Sequence, residues 1–257
     1  MDKDLFPAGA TVVFGATGGI GSVVATEFAG AGSDVAIMYR SKEDVAHGVA
    51  EKAQARGRKS SVHQCDVTDQ SAVKAALAQV IKEHGRIHTL VWGAGPLVDQ
   101  VFINECSLDQ WRKAIDVEVH GFFTATTSLL PHMREMGGGS IVHLGSAGDV
   151  SFPPKDVLSV APKAANESLV RGIAREEGVY QIRANSVLVG VIEAGMFLEL
   201  TKQGVFDDAW VQEVQKGLAL KRWGQPEEIA QAAIFLSSNN ALYVTGQQIS
   251  VSGGYGL

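Results

Sequence analysis

Glycines spaced for a nucleotide-binding turn follow the first predicted strand. The segment Gly15–Gly21 reads Gly-Ala-Thr-Gly-Gly-Ile-Gly, follows a β-branched run directly and opens a stretch of helix length. Glycine permits a tight turn and lets backbone N–H groups approach a pyrophosphate, and the helix N-terminus adds a favourable dipole. The predicted chemistry is therefore the binding of a phosphate-bearing cofactor. The predicted contacts in this turn are Gly15, Thr17, Gly19, Ile20 and Gly21.

The elements that must position this turn alternate along the chain. Short β-branched runs and amphipathic stretches of helix length follow one another, which is typical of βαβ units and a parallel sheet. Seven strands are predicted, at Thr11–Phe14, Asp34–Tyr39, Lys59–Cys65, Ile87–Trp92, Ser140–Leu144, Arg183–Leu188 and Gln247–Val251. Helix starts are indicated by Ser41 with Asp44, by Ser107 with Gln110 as a capping box, and by Pro226 ahead of Glu227 and Glu228. Because no linker, repeat or charge block divides residues 1–257, we predict one α/β domain, a doubly wound parallel sheet with helices on both faces.

One long segment before the last strand, residues 191–210, is predicted to be irregular and is rich in apolar side chains. They are Met196, Phe197, Leu198, Leu200, Val205, Phe206 and Trp210. Open α/β sheets bind ligands outside the carboxyl ends of their strands, so the chain near residues 191–212 could form a substrate lid. The alternative is a packing helix or a subunit contact, because apolar stripes usually bury against something.

Composition limits the class of protein. The chain has 257 residues, of which 46% are hydrophobic and 19% charged, with a formal net charge of −6. This excludes a disordered chain and argues against a nucleic-acid partner or an anionic membrane surface. No apolar run approaches the roughly 18 residues of a membrane span. Cys65 and Cys106 are too few for a disulfide framework and lack metal-ligand spacing, so we expect a cytoplasmic protein without a metal site.

Further motifs follow the predicted strands in order. They are the turn glycines Gly15, Gly19 and Gly21, then Asp66-Val67, Ala94-Gly95, Ser146, Lys163, Asn185 with Gly190, the segment from Arg222 to Glu228, Thr245-Gly246-Gln247 and Gly253-Gly254. Over residues 8–257 this set resembles the short-chain dehydrogenase/reductase family. The resemblance implies a three-layer Rossmann-type fold of about seven strands, a nicotinamide dinucleotide cofactor and oxidoreductase chemistry on a small molecule.

The resemblance also implies a cofactor contact for each matching residue. Adenine would be contacted by Asp66 and Val67, and the ribose would be lined by Ala94 and Gly95. The nicotinamide ribose would be bound by Lys163. The nicotinamide end would be contacted by Val189, Gly190 and Ile192.

The end of the second predicted strand distinguishes the two forms of the cofactor. A carboxylate there would accept a hydrogen bond from a ribose 2′-OH and repel a 2′-phosphate, but this chain has Tyr39, Arg40, Ser41 and Lys42. The Arg40 guanidinium can donate two parallel hydrogen bonds to a 2′-phosphate, and the Ser41 hydroxyl can donate a third. The sequence therefore favours NADP(H) over NAD(H). The alternative is that Arg40 and Lys42 are solvated surface cations.

The proton donor of the family is missing. Reducing a carbonyl with hydride leaves charge on oxygen, and the family protonates it with a tyrosine four residues before a lysine, while a serine binds the oxygen. Ser146 and Lys163 occupy the serine and lysine positions, but the tyrosine position is Ser159, and no tyrosine occurs between Tyr39 and Tyr180. Further departures are Glu118 for an asparagine, Trp92-Gly93 for two asparagines, Val189 for a proline and Phe14 for a threonine.

Several replacements for the donor stay open. They are Lys163 itself, Ser159 as a relay from Lys163 or water, or a carboxyl of raised pKa at Asp149, Asp156 or Glu118. Each has a structural alternative: Glu118 and Lys163 could form an ion pair, Ser146 could cap a turn, and His143 is expected to be a core histidine. The two aspartates fall in a predicted loop, residues 148–158, where a solvated carboxylate is the default.

The predicted function is an NADP(H)-dependent oxidoreductase acting on a carbonyl or alcohol of an apolar small molecule. Its predicted catalytic residues are Ser146, Ser159, Lys163 and Glu118. Two alternatives stay open: a non-redox isomerase, lyase, dehydratase or cyclase on the same scaffold, and a regulatory protein that senses NADP(H). The resemblance also implies a homotetramer or homodimer, paired through the helices near Leu108–Met136 and Ser159–Glu177.

Overall fold

The computed structural model describes residues 4–257, and within them seven parallel strands form one sheet. The strands are β1 (Ala10–Phe14), β2 (Asp34–Tyr39), β3 (Ser60–Gln64), β4 (Ile87–Trp92), β5 (Gly139–Ser146), β6 (Ile182–Val189) and β7 (Gln248–Val251). Their order across the sheet is β3-β2-β1-β4-β5-β6-β7. The winding reverses between β1 and β4, and sheets of this kind bind ligands at the carboxyl ends of the strands beside that point.

Helices cover both faces of the sheet. They are α1 (Gly19–Gly30), α2 (Glu43–Ala55), α3 (Gln70–His84), α4 (Leu108–Ile115), α5 (Gly121–Glu135), α6 (Val157–Glu177), α7 (Met196–Lys202), α8 (Asp208–Gly217) and α9 (Pro226–Ser237). A π-helical turn, Asp116–His120, joins α4 to α5. Among residues 4–257, no helix combines the length and the apolarity that crossing a membrane requires.

The core consists of two apolar layers, one on each side of the sheet. Along β1, Val13 packs into the layer formed with α1, α2 and α9, whereas Val12 and Phe14 pack into the layer formed with α3, α5 and α6. A strand that is buried on both faces needs apolar side chains at nearly every position, which is why these strands read as continuous β-branched runs. The predicted three-layer, doubly wound α/β fold is confirmed.

All seven predicted strands are present, with boundaries that differ from the prediction by at most two residues. The largest difference is in β5, which was predicted to end at Leu144 and continues to Ser146. The extension arises because Gly145 and Ser146 stay in register with Leu188 and Val189 of β6.

Two of the three predicted helix starts are confirmed. Ser107 and Gln110 form a reciprocal capping box, and Pro226 is the first residue of α9. The predicted start at Ser41 with Asp44 is wrong, because α2 begins at Glu43 and has no side-chain cap. Its first turn instead carries two carboxylates, which stabilise the positive end of the helix dipole.

The prediction that residues 191–210 are irregular is wrong in part. The segment contains all of α7 and the start of α8. Burial of Leu200 anchors α7, and Asp207 caps α8 by accepting a hydrogen bond of 2.8 Å from the Trp210 N–H. The buried leucine and the aspartate cap each involve only one or two residues. The spacing of apolar residues in the sequence therefore did not predict these helices of seven and ten residues.

Candidate active site

The glycine turn lies in the crevice between β1 and β4. Gly15 has a positive φ of 79°, and a Cβ atom there would lie 2.3 Å from the backbone oxygen of Gly93, just beyond β4. The Gly18 N–H donates to the Gly15 carbonyl over 2.9 Å and closes the turn. A side chain at Gly15 is therefore excluded by both backbone conformation and space.

Helix α1 begins at this turn with N–H groups that no side chain caps. Gly18 precedes the helix without any side-chain cap, so the first N–H groups of α1 keep their capacity to bind an anion. A Cβ atom at Gly19 would lie 2.3 Å from the Gly195 nitrogen, and one at Gly21 would lie 2.2 Å from the Gly15 oxygen. The segment after β6 thus approaches the turn so closely that only glycine fits.

These observations fit a dinucleotide, whose pyrophosphate such a cradle accommodates. Thr17 and Ile20 are partly exposed in the same turn. At the nicotinamide end, the Gly190 N–H donates to the Val251 oxygen over 3.1 Å, and Ile192 is buried beside Gly224. Val189 is the last residue of β6 and therefore also lies at the carboxyl edge of the sheet.

The opposite end of the crevice carries a free cation and a charged carboxylate. Arg40 and Ser41 are exposed directly after β2, and within residues 4–257 Arg40 forms no ion pair. Asp66 accepts hydrogen bonds from the Thr68 N–H at 2.9 Å and the Thr68 hydroxyl at 2.7 Å. These bonds, with a smaller contribution from the Arg40 charge, lower the Asp66 pKa. Val67 packs within 3.1 Å of the position that a Cβ atom on Gly121 would take.

Lys163 and Glu118 form an ion pair at the end of the crevice nearest β5. Lys163 extends from α6, and Glu118 extends from the π-helical turn; their side chains are 17% and 3% exposed. A Cβ atom on Gly95 would lie 2.4 Å from the Glu118 carboxylate, so this glycine makes room for the acid. Ala94 lies beside Gly95 and is half-buried. The ion pair proposed from the sequence is therefore present.

The two predicted catalytic serines lie in different local settings. Ser146 ends β5, and its Oγ accepts a hydrogen bond of 3.1 Å from the Gly148 N–H. Ser159 is the third residue of α6, four positions before Lys163 and hence on the same helix face. It is half-buried, and its hydroxyl has no hydrogen-bond partner in the described part of the chain. The Ser159 hydroxyl is thus available to a ligand.

Asp156 is not the solvated loop carboxylate that was expected. It directly precedes α6, its backbone pairs with Val101, and its Oδ1 accepts a hydrogen bond of 3.3 Å from the Gln100 amide. Burial raises the Asp156 pKa, against the smaller lowering effects of Gln100 and the Lys163 charge. The prediction failed because the segment around Gln100 and Val101 covers the side chain. Asp149, by contrast, is exposed as expected.

A tyrosine from the far end of the sequence also lies near this acid. The C-terminal residues pack on the loop after β5, where a Cβ atom on Gly256 would lie 3.0 Å from the Ser151 Cβ. The Tyr255 pKa is raised by burial, lowered by the neighbouring Ser151 hydroxyl and raised again by Asp156. Sequence reasoning missed Tyr255, since nothing in the local pattern connects residues about a hundred positions apart.

Aromatic side chains dominate the segment after β6. Phe206 stacks on Trp210 with a centroid separation of 3.8 Å, and Phe197 lies 5.1 Å from Trp223. The neighbouring Leu198 side chain is 49% exposed. This segment therefore presents apolar surface at the carboxyl edge of the sheet.

Comparison with known proteins agrees with this arrangement. A family model described as Enoyl-(Acyl carrier protein) reductase matches residues 15–256. The chain is 32% identical over 243 residues to 3-oxoacyl-[acyl-carrier-protein] reductase FabG of Staphylococcus aureus, covering 95% of this chain and 96% of that protein. The chain belongs to the short-chain dehydrogenase/reductase family.

Solved structures of short-chain dehydrogenases/reductases share the whole fold. A short-chain type dehydrogenase/reductase from Mycobacterium ulcerans superposes with a TM-score of 0.91 at 28% identity, covering 97% of this chain and 90% of that one. Carveol dehydrogenase from Mycobacterium avium, solved in complex with NAD, gives a TM-score of 0.92 at 25% identity. The match covers 98% of this chain and 99% of that one. The chain is therefore an oxidoreductase of the short-chain dehydrogenase/reductase type, a family whose members use a nicotinamide cofactor.

Proposed function

We propose that this chain is an NADP(H)-dependent oxidoreductase that interconverts a carbonyl and an alcohol on an apolar small molecule. The observation that carries the proposal is the shared crevice: one edge of the sheet holds the glycine turn, the exposed Arg40 and the Lys163 cluster. A dinucleotide lying along that edge would span from β2 to β5, and its reactive end would lie near Lys163.

The preference for NADP(H) rests on the end of β2. Arg40 is exposed and forms no ion pair in residues 4–257, so binding a 2′-phosphate breaks no existing interaction. Ser41, next to it, adds a hydroxyl donor. For an exposed cation the contribution is on the order of 1 kcal/mol after screening.

When bound, the cofactor supplies or accepts the hydride. Lys163 binds the nicotinamide ribose, with Glu118 balancing its charge, and Ser146 hydrogen-bonds the substrate oxygen. As the carbonyl carbon gains hydride, its oxygen takes up one proton. We propose that the Asp156 carboxyl supplies that proton through the Ser159 hydroxyl, since the two residues lie three positions apart at the start of α6.

The substrate preference follows from the apolar surface around the cleft. Leu97, Phe102 and Phe152 are each about half exposed, at 51%, 46% and 50%. Residues 191–212 carry an aromatic cluster of their own, and we propose that they form a lid on a single domain. Apolar side chains left exposed around a pocket favour an apolar ligand.

We further propose a cytoplasmic homo-oligomer, a homodimer or homotetramer. Leu108 and Phe123 are 58% and 54% exposed on α4 and α5, which gives these helices an apolar outer surface. Cys65 and Cys106 are free thiols, as expected in a reducing compartment.

The test is turnover of NADPH with a panel of apolar ketones and aldehydes, comparing wild type with Asp156→Asn and Asp149→Asn. Loss of a positioned general acid should lower kcat by about 10² to 10⁴ in Asp156→Asn. The exposed Asp149→Asn control should match wild type. In the reduction direction, wild-type kcat should fall as pH rises through the raised pKa of Asp156, because only the protonated carboxyl donates. An absence of NADPH oxidation across the panel contradicts the proposal.

The half-buried Asp156 also supports a second candidate, a non-redox isomerase, lyase, dehydratase or cyclase in which this carboxyl moves protons without hydride transfer. Turnover that persists after removal of NADP(H) would select this candidate. The Ser159→Tyr variant separates the two further, with Ser168→Tyr on the exposed face of α6 as its control. A gain of reductase activity in Ser159→Tyr alone supports the redox function.

A further inference from the structure

A buried polar network lies behind the Lys163–Glu118 ion pair, between β5 and α6. His143 and Asn166 are 0% exposed and Glu167 is 2% exposed. Burial of such groups is costly unless they make hydrogen bonds, and within residues 4–257 every buried polar atom of these three side chains except the Asn166 Oδ1 has a partner.

The contacts form a chain that ends on the residue paired with Lys163. Glu167 Oε1 lies 2.8 Å from His143 Nδ1, and His143 Nε2 lies 3.4 Å from the Asn166 amide nitrogen. That nitrogen also donates over 3.0 Å to the backbone oxygen of Glu118. Exposed Gln248 donates to Glu167 Oε2 over 3.0 Å, so each oxygen of this carboxylate has a partner.

These partners determine which atoms carry hydrogen. Turning the Asn166 amide over would place its oxygen against the Glu118 carbonyl oxygen, so the nitrogen must face that carbonyl. The same nitrogen can only donate to His143, whose Nε2 therefore accepts. His143 consequently carries its proton on Nδ1 and donates it to Glu167.

Space for two carboxylates is made by two glycines. A Cβ atom on Gly145 would lie 2.3 Å from Glu167 Oε1, just as one on Gly95 would lie 2.4 Å from Glu118 Oε1. Any side chain at either position would displace the acid. The network and the ion pair are thus accommodated in the same way, by Gly145 in β5 and by Gly95 just beyond the end of β4.

The position of Glu118 depends on this network because its backbone carbonyl lies in an irregular helical turn. It lies in the π-helical turn Asp116–His120, where the regular α-helical hydrogen-bond pattern is interrupted. Asn166 satisfies its carbonyl from α6, the helix that also carries Lys163. We propose that Asn166, His143 and Glu167 are positioning residues that hold Glu118 against Lys163. Only the catalytic consequence of this arrangement rests on the proposed function.

The first experiment measures the reactivity of Lys163 in the folded protein without cofactor. Acetylation by an N-hydroxysuccinimide ester is followed by mass spectrometry of the peptide containing Lys163, in wild type, Glu118→Gln, Asn166→Ala and Glu177→Gln. The paired carboxylate holds the Lys163 amine in place and limits its access to the ester, so we expect labelling about three- to tenfold faster in Glu118→Gln and in Asn166→Ala. Glu177→Gln, which alters another buried glutamate of α6 that pairs with Arg134, should label at the wild-type rate. Faster labelling in Glu118→Gln but not in Asn166→Ala overturns the inference.

A second measurement does not depend on the folding of Asn166→Ala. Nitrogen NMR of histidine-labelled wild type should show the His143 ring hydrogen on Nδ1 and an unprotonated Nε2, assigned by loss of its signals in His143→Asn. An Nε2–H tautomer would contradict the network. NADPH titration by fluorescence then separates the two proposals: failure of wild type to bind NADPH refutes the proposed function, whereas the labelling rates and the tautomer still decide this inference.

Discussion

Removing Lys163 should destabilise the fold more than removing its partner Glu118. The Glu118 side chain is 3% exposed, whereas the Lys163 side chain is 17% exposed and reaches the crevice. In Lys163→Met a buried carboxylate is left without a countercharge, which typically costs about 3 to 5 kcal/mol. In Glu118→Gln the lysine can turn toward water and the amide still accepts a hydrogen bond, so we expect about 1 to 2 kcal/mol.

A double-mutant cycle measures this asymmetry. The combination of Glu118→Gln and Lys163→Met carries no uncompensated buried charge, so it should be more stable than Lys163→Met alone, which requires a coupling energy larger than the Glu118→Gln loss, about 2 to 3 kcal/mol. Urea denaturation followed by circular dichroism at pH 7 gives the four free energies of unfolding. The control is the surface pair of Glu213 and Lys216, whose side chains are 79% and 73% exposed. This pair should show no measurable coupling. Equal losses in the two single variants, or additivity in the double variant, would refute the reasoning.

Three further predictions follow from other parts of the molecule. Arg40→Asp should raise the Kd for NADPH about tenfold or more and lower that for NADH, because a carboxylate at this position repels a 2′-phosphate but accepts a hydrogen bond from a 2′-OH; equal weakening of both in a fluorescence titration would argue against a 2′-phosphate contact. Gly19→Ala, whose Cβ would lie 2.3 Å from the Gly195 nitrogen, should weaken the binding of both cofactors, whereas Gly48→Ala, which meets nothing within 4 Å in α2, should stabilise the protein by about 0.5 to 1 kcal/mol in urea unfolding. Burial, with a smaller effect of a neighbouring arginine, lowers the His88 pKa to about 4. The unfolded chain therefore takes up a proton below pH 6.5 and the folded one does not, so unfolding experiments between pH 7 and 4 should show a loss of about 3 kcal/mol that His88→Gln removes.

The fold could be predicted because its signals are local and repeated. Each strand is buried on both faces and is therefore apolar at nearly every position, as in β1 and β4. The capping box of Ser107 is equally local and was also predicted. The start of α2 was not, because the first-turn carboxylates Glu43 and Asp44 serve where a side-chain cap was expected.

The candidate site was predictable only in part, because its environment comes from distant segments. Family resemblance located Ser146, Ser159 and Lys163, but the burial of Asp156 depends on a loop about 55 residues earlier that carries Gln100. No spacing rule connects these segments, nor does one bring the C-terminal Tyr255 to the same loop. The sequence places residue types along the chain, whereas burial, which shifts a pKa, depends on the packing of the whole fold.

The charges around Lys163 explain why a replacement acid is needed at all. Where a lysine has no countercharge, it can stabilise a developing negative charge directly. Here Glu118 is paired with Lys163, so that positive charge is already balanced before any substrate binds. Negative charge that develops on a substrate oxygen must then be removed by a proton rather than offset by the lysine. On the proposed function, Asp156, a half-buried carboxyl with a raised pKa, is suited to provide one. On the proposed function, the Glu118–Lys163 pair and the serine at position 159 therefore go together with a proton supplied by Asp156, the residue just before α6.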